Sequence, residues 1–289
     1  DLSLSFGLDY QGTSKSNARY DTRAIEFKSA LKFPVSESGF FTSKLFYNNE
    51  ELSDVTANSK IIKEEAKESH RKTFGLGYTY SFDNRRTGLD PKAGMFLRLS
   101  QDFDLTGDVR FIRTGVKLGG ETYLRNEDFK VTATFEGGAL NFTSGNSSRV
   151  TDRFFLGSGL FRGFAPGGLG PREFDSGNSI NDALGGEYYA VARFETQFPI
   201  GLPEEYGIEF GAFFDAGSVW GLSSNHVGSG VKAPINTIYY DDFTLRAVAG
   251  VSIFWNTPIG PLRFNFTDAV KKSEHDVDQS FDLTVSTSF

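Results

Sequence analysis

Residues 281–289 read Phe-Asp-Leu-Thr-Val-Ser-Thr-Ser-Phe, and two kinds of side chain alternate along them. Successive side chains of a β-strand point to opposite faces of its sheet, so this stretch predicts a strand with an apolar and a polar face. The residues predicted to share the apolar face are Phe281, Leu283, Val285, Thr287 and Phe289.

The same alternation recurs along the chain and predicts an all-β, antiparallel protein. Long helical patterns are missing. The charged segment 51–69 lacks aromatic residues and is predicted to be a solvated loop that can contain one helical turn. Twelve strands are predicted near residues 2–11, 19–33, 39–50, 70–82, 94–105, 109–123, 128–139, 185–199, 207–219, 245–257, 260–268 and 280–289.

Strand length and loop length favour a transmembrane β-barrel over a soluble β-sandwich. Many of the predicted strands reach the roughly 9–11 residues that cross a bilayer at a tilt. Short turns alternate with long connections such as 140–184 and 220–244, as in outer-membrane barrels. No apolar run approaches the roughly 18 residues of a membrane-spanning helix. In a barrel the apolar faces contact lipid, whereas in a sandwich they would form the core.

The composition argues against several classes of function. The 289 residues carry a formal net charge of −7, which argues against nucleic-acid binding. Cysteine is absent, and the three histidines, His70, His226 and His275, lack the spacing of a metal site. No nucleophile–base pattern is present. The sequence therefore predicts no metal, no cofactor and no enzymatic activity, and no linker divides the chain into domains.

A glycine-rich loop carries the main functional signal, Phe161-Arg162-Gly163-Phe164. The alternation in the two following strands places Glu195 and Asp215 on the polar, lumen-facing side. If the loop of residues 140–184 folds into the barrel, the planar guanidinium of Arg162 can bind both carboxylates. The alternative is an arginine exposed on a mobile loop, with the two acids merely facing water.

Phe161-Arg162-Gly163-Phe164 resembles the signature of the sixth extracellular loop in the BamA/TamA/two-partner-secretion transporter superfamily. Further matching segments follow in the same order, and together they cover about residues 150–289 as a specific set. These segments are Asp182-Ala183-Leu184-Gly185-Gly186, Leu202-Pro203-Glu204-Glu205-Tyr206, Phe214-Asp215-Ala216-Gly217-Ser218-Val219-Trp220 and Thr257-Pro258-Ile259-Gly260-Pro261-Leu262-Arg263-Phe264.

The resemblance implies an antiparallel transmembrane β-barrel of about sixteen strands, of which the predicted twelve are the last. Residues 1–289 are then an outer-membrane β-barrel domain without its first four strands and the POTRA domains that precede it. A sheet edge with unpaired main-chain groups is not tolerated in lipid. The alternative to missing strands is therefore that the twelve predicted strands close into a barrel by themselves. The long loop corresponds to an inward-folded loop 6, whose arginine is held by acids that correspond to Glu195 and Asp215.

The closest resemblance is to the BamA family, which implies an insertase that folds and inserts β-barrel proteins into the bacterial outer membrane. The implied mechanism of this insertase has three parts: a lateral seam in the barrel wall, pairing of a client strand with the exposed edge of that seam, and local thinning of the bilayer. The implied partners are unfolded outer-membrane proteins, lipid and, through POTRA domains, accessory lipoproteins. Residues 281–289 correspond to one side of the seam, although this chain lacks the glycine that many family members carry there.

Three alternative functions remain open on the sequence. A polypeptide-secretion pore of the two-partner-secretion or TamA type belongs to the same superfamily. A passive porin is less compatible with the arginine loop. An outer-membrane enzyme would need a convergent nucleophile–base set.

Overall fold

The structure is a computed structural model that describes residues 2–15, 17–85, 93–107, 110–124, 128–144, 148–222, 238–257 and 260–285. In these residues, twelve antiparallel strands form one sheet in which every strand pairs with the next long strand along the chain. The sheet strands are β1 (Ser3–Lys15), β2 (Tyr20–Pro34), β3 (Gly39–Ser53), β4 (His70–Asp83), β5 (Ala93–Asp104), β6 (Arg110–Leu124), β7 (Phe129–Ser144), β10 (Tyr188–Phe198), β11 (Ile208–Trp220), β13 (Arg246–Thr257), β14 (Gly260–Lys271) and β15 (Phe281–Val285).

The prediction of an all-β antiparallel protein is confirmed, because each of the twelve predicted segments corresponds to a strand of this sheet. The alternation of faces also agrees with the structure. Phe194 of β10 and Phe214 of β11 are exposed on the outer face, whereas Val191 and Phe213 are buried on the inner face. An apolar outer face is what contact with lipid requires.

The sheet curves around an interior space. Strands that are far apart in the sheet order approach each other across a cavity of about 350 Å³, which is lined by Phe96 of β5, Lys117 of β6, Arg263 of β14 and Thr284 of β15. In the described residues, β1 and β15 are the two ends of the sheet order. No helix in this part of the chain has the length and apolar character needed to cross a bilayer.

The longest connection between neighbouring sheet strands runs from β7 to β10, and its residues 148–187 are called the arginine loop. It contains two short strands, β8 (Arg172–Asp175) and β9 (Ile180–Ala183), joined by a 3₁₀ turn at Ser176–Asn178. A third strand, β12 (Ile238–Tyr239), pairs with β8 and completes a small separate sheet. Residues 272–280, which connect β14 to β15, are called the terminal loop.

The prediction that segment 51–69 is a solvated loop that can contain one helical turn is correct about the helix and wrong about its solvation. Lys60–Glu65 form a helix, α1, whose Ile61 and Ile62 are buried against Val150 and Leu184 of the arginine loop. Ser59 caps this helix by accepting a hydrogen bond from the Ile62 N–H at 3.1 Å. Among the charged residues of the segment lies an apolar pair, and the residues that it packs against are distant in the sequence.

Candidate functional site

Two buried phenylalanines hold the signature segment of the arginine loop inside the barrel. Phe161 and Phe164 are fully buried, and their ring centroids lie 5.3 Å apart. They belong to a cluster with Val219 and Val248 of the sheet. Gly163, between them, has φ +81°, a left-handed conformation that glycine adopts without steric cost. The chain can therefore turn sharply and direct the Arg162 side chain at the sheet.

The Arg162 guanidinium binds the carboxylates of two adjacent strands. Nε donates to Asp215 Oδ2 at 2.7 Å, and Nη2 donates to Asp215 Oδ1 at 2.5 Å. Nη1 donates to Glu195 Oε2. Asp215 is completely buried, and Glu195 is largely buried. The two-point contact with Asp215 fixes the plane of the guanidinium, which is the geometry in which arginine binds carboxylates most strongly.

Two further residues complete this group, which is called the arginine site: Arg162, Glu195, Phe213, Asp215 and Arg263. The guanidinium carbon of Arg162 lies 3.6 Å from the ring centroid of Phe213. Arg263 of β14 donates from Nη2 to the same Oε2 atom of Glu195 that Arg162 contacts. Glu195 therefore joins the arginine loop to a strand close to the end of the sheet.

The electrostatics favour a permanently charged Arg162. Burial alone would lower the pKa of the guanidinium, but the hydrogen bonds and charge of Asp215, followed by the charge of Glu195, outweigh it. The pKa of Arg162 therefore lies above its ordinary value. A charge in this position is stabilised by its partners, so removal of either carboxylate would leave a buried charge undercompensated.

The structure brings together Arg162, Glu195 and Asp215, with Phe161, Gly163 and Phe164 forming the turn that presents the arginine. The residues predicted for the seam lie elsewhere, on the last strand. Phe281, Leu283 and Val285 are exposed on β15, whereas Thr287 and Phe289 lie outside the described residues. Phe281 packs against Phe266 of β14 at a centroid distance of 5.4 Å.

Sequence reasoning missed Phe213 and Arg263, although the alternation contained a signal for both. Arg263 opposes the apolar residues Leu262 and Phe264 and so points inward, and Phe213 lies between the outward-facing Ala212 and Phe214. An apolar residue on the polar face of a predicted strand indicates that another segment of the protein, and not water, packs against it.

A second buried polar network, at the base of the arginine loop, had no signal in the sequence. Arg153 donates to the Glu65 carboxylate of α1 and, through Nη1, to the Leu184 carbonyl at 3.0 Å. Glu65 also accepts from the Val150 N–H at 2.7 Å. This network binds α1 to the arginine loop, so the loop is held at both its base and its tip.

The chemistry of these groups is that of a structural anchor. Among the described residues, no group of three or more histidine, aspartate or glutamate side chains is arranged to hold a metal ion. The arginine site contains four charged side chains that neutralise one another and one aromatic ring. What the arrangement can do is fix an extended loop inside the barrel against strands β10, β11 and β14.

Comparison with known proteins finds relatives along the whole chain. A family model described as the Omp85 superfamily domain matches residues 1–289. The outer membrane protein assembly factor BamA of Neorickettsia risticii is 29% identical over 187 residues, which are 64% of this chain and 23% of that protein. BamA of Neisseria meningitidis serogroup B is 32% identical over 149 residues, which are 47% of this chain and 18% of that protein.

A human protein and two solved structures extend the comparison. The human sorting and assembly machinery component 50 homolog is 29% identical over 193 residues, 63% of this chain and 38% of that protein. BamA from Haemophilus ducreyi, solved without POTRA domains 1–3, has a TM-score of 0.81 at 22% identity, covering 100% of this chain and 59% of that one. CdiB from Acinetobacter baumannii has a TM-score of 0.57 at 16% identity, covering 98% of this chain and 47% of that one. The matched segments thus span well under half of these curated relatives.

Proposed function

The chain belongs to the Omp85 superfamily, and we propose that it works as an insertase of the BamA type that folds and inserts β-barrel proteins into the outer membrane. It is a β-barrel protein of the bacterial outer membrane. The observation that carries the proposal is the sequence relationship to proteins named for assembly, the BamA assembly factors and the sorting and assembly machinery component 50 homolog.

The proposed action is physical and involves no chemical reaction. A client strand pairs with the free edge of the last strand, and main-chain hydrogen bonds supply the affinity. In the described residues β15 ends the sheet order and pairs only with β14, so its other edge is available at this end of the sheet, which supports a seam there. A narrow apolar belt around Phe281, Leu283 and Val285 would thin the bilayer locally and ease insertion.

The domain organisation forms part of the proposal. Residues 1–289 constitute the C-terminal part of an outer-membrane barrel, preceded by about four further strands and by POTRA domains. The proposed partners are unfolded outer-membrane proteins, membrane lipid and, through the POTRA domains, accessory lipoproteins. The greater length of the relatives supports this arrangement.

A polypeptide-secretion pore of the same superfamily is the competing function. The arginine loop does not separate the two functions, because its signature is shared across the superfamily. The sequence relationship to proteins named for assembly is what favours the insertase.

The test is client folding by the full-length protein in liposomes. We expect a urea-denatured outer-membrane barrel to fold faster than in protein-free liposomes, as measured by its shifted gel mobility without heating. The same preparation in a planar bilayer should show no steady large conductance. A steady conductance without faster folding would support the secretion pore instead, and unchanged folding would contradict the insertase.

A further inference from the structure

The cavity of about 350 Å³ inside the curved sheet is lined mainly by positive charge. Among the described residues, five cationic side chains line it, whereas Glu195 is the only carboxylate that does so. The five cations come from five separate segments: Arg85 after β4, Lys117 of β6, Arg162 of the arginine loop, Arg193 of β10 and Arg263 of β14. Like charges repel more strongly in a protein interior than in water, so this arrangement favours the entry of negative charge.

Arg85 reaches the cavity because the turn after β4 lies against the start of β5. A Cβ on Gly94 would lie 2.4 Å from the Arg85 Cα, so this close approach requires glycine. Both oxygens of Asp83 bind the guanidinium, at 2.9 Å from Nε and 2.6 Å from Nη2. The guanidinium carbon also lies 4.4 Å from the ring centroid of Phe96. The charge of Arg85 is therefore fixed at the wall of the cavity.

Glu136 is shared between two of the cations. Its Oε2 atom lies 3.2 Å from Lys117 Nζ and 3.3 Å from Arg193 Nη2. Arg193 Nη1 donates to the Gly159 carbonyl at 3.4 Å, which is long for a hydrogen bond. Its Nε is buried and has no hydrogen-bond partner among the described residues. Arg193 therefore retains a donor that the surrounding protein does not use.

The cations of the cavity outnumber the carboxylates that contact them. These carboxylates are Asp83, Glu136, Glu195 and Asp215. Asp282 of the neighbouring β15 accepts hydrogen bonds from uncharged groups, the Asn265 amide and the Thr284 hydroxyl. One positive charge of the group thus lacks a contacting counter-charge, which is unfavourable in a protein interior.

The donors around the cavity suit a tetrahedral anion. They approach from strands far apart in the sheet order, and Thr132, Thr134 and Ser158 add hydroxyl groups to the lining. A phosphate monoester carries a charge of about −1.5 to −2 near pH 7 and three acceptor oxygens that point in different directions. A carboxylate has one charge and two oxygens in a single plane. The cavity has room for a phosphate group, and the same cations repel a metal ion.

We propose that this cavity binds an anion of the phosphate class, either the free ion or the phosphate monoester headgroup of a lipid. Lys117 and Arg193 bind the anion directly, and Arg85 and Arg263 supply positive charge from different sides of the cavity. The hydrogen bonds of Arg162 are already directed to Asp215 and Glu195, so Arg162 contributes its charge. The site goes beyond the proposed insertase function, because the bound anion stabilises the barrel interior whether or not a client is present.

The thermal stability of the full-length protein in a neutral detergent tests this proposal. The probe is inorganic phosphate, exchanged for sodium chloride at constant ionic strength so that charge screening stays equal. We expect the temperature at which the folded band is lost on gels to rise with phosphate and then to saturate, because a ligand of the folded state stabilises it. Acetate at the same concentrations should raise this temperature less.

A second arm identifies the source of the anion. Detergent micelles that contain lysophosphatidic acid present a phosphate monoester on a lipid. A rise with inorganic phosphate assigns the site to the soluble ion, and a rise with lysophosphatidic acid alone assigns it to a lipid headgroup. Either rise supports the proposal when Arg193→Gln abolishes it.

Two lysines provide a matched comparison. Lys117 pairs with Glu136 at 3.2 Å and Lys130 pairs with Glu121 at 3.1 Å, but of the two lysines only Lys117 lines the cavity. We expect Lys117→Gln to raise the Kd of the anion roughly tenfold, as the loss of one charge-assisted hydrogen bond implies. Lys130→Gln should leave the Kd unchanged. Arg193→Gln is an independent variant with an effect at least as large, and calorimetric titration measures all three.

Three results would overturn the proposal. The first is no rise in stability with either phosphate-bearing probe at constant ionic strength. The second is an equal rise with acetate, which would exclude the phosphate class. The third is an equal Kd in Lys117→Gln, Arg193→Gln and Lys130→Gln. Client folding is not measured in these experiments, so failure of the anion site leaves the proposed insertase function standing.

Discussion

Phe213 and Phe214 are consecutive residues of β11 that face opposite sides of the sheet: Phe213 lies 3.6 Å under the guanidinium carbon of Arg162, whereas Phe214 is exposed on the outer face. Two side chains of the same type therefore lie in different environments, one in the barrel interior and one on the outer face. One ring closes the arginine site, and the other contacts lipid. The pair provides a matched comparison in which residue type and strand are held constant.

We expect Phe213→Leu to lower the free energy of unfolding in detergent micelles by about 1–2 kcal/mol, since a desolvated cation–π contact is lost along with packing. Phe214→Leu should cost less, because leucine is about as compatible with lipid as phenylalanine. Urea unfolding followed by tryptophan fluorescence measures both. Equal losses would mean that the ring under Arg162 contributes only apolar surface.

The two carboxylates of the arginine site should differ in their importance. Asp215→Asn is expected to cost roughly 3–5 kcal/mol, because it breaks a fully buried ion pair that Arg162 contacts at two points. Glu195→Gln should cost about 1.5–3 kcal/mol, since Glu195 is partly exposed and makes one hydrogen bond to Arg162.

Arg162→Ala should match Asp215→Asn in stability and lower client folding. The control is Glu121→Gln, which removes a partly exposed pair with Lys130 of about 1 kcal/mol or less. Combining Arg162→Ala with Asp215→Asn should cost less than the sum of the two, because both act on one contact. Additive losses would show that the two residues stabilise the barrel independently.

Gly163 is expected to be intolerant of a side chain for two separable reasons. Alanine at φ +81° costs about 1–2 kcal/mol of backbone strain, and its Cβ would lie 2.7 Å from Val248 Cγ1. Gly163→Ala should therefore destabilise the protein, and adding Val248→Ala should recover only the steric part. Gly159→Ala should be neutral. The temperature at which each of the three variants (Gly163→Ala, Gly163→Ala with Val248→Ala, and Gly159→Ala) loses the folded band on gels ranks their stability. A neutral Gly163→Ala would contradict this account.

Helix α1 should detach without unfolding the sheet when its buried residue is truncated. Ile62→Ala removes a completely buried side chain and is expected to weaken docking of α1 by about 2–5 kcal/mol. Trypsin cleavage after Lys63 and Lys67 should accelerate, whereas the unfolding midpoint of the barrel stays unchanged. Glu64→Ala, on the exposed side of the helix, is the control. A fall in the barrel midpoint would show that α1 and the sheet unfold together.

The sequence by itself determined the strands and their faces. Alternation with period two is a local property, so twelve strands and the inward direction of Glu195 and Asp215 followed from counting along each segment. Arg263 and Phe213 were equally accessible to that reasoning, because their neighbours face outward. No distant residue is needed to decide which way a strand side chain points.

Only the tertiary structure decided which distant residues meet. The burial of Ile62, the pairing of Arg153 with Glu65 and the contact of Asp276 with Arg246 join parts of the chain that share no local pattern. Burial of a charged or apolar side chain depends on the surface that covers it, and that surface comes from another segment. A buried ion pair therefore looks, in the sequence, the same as two solvated charges.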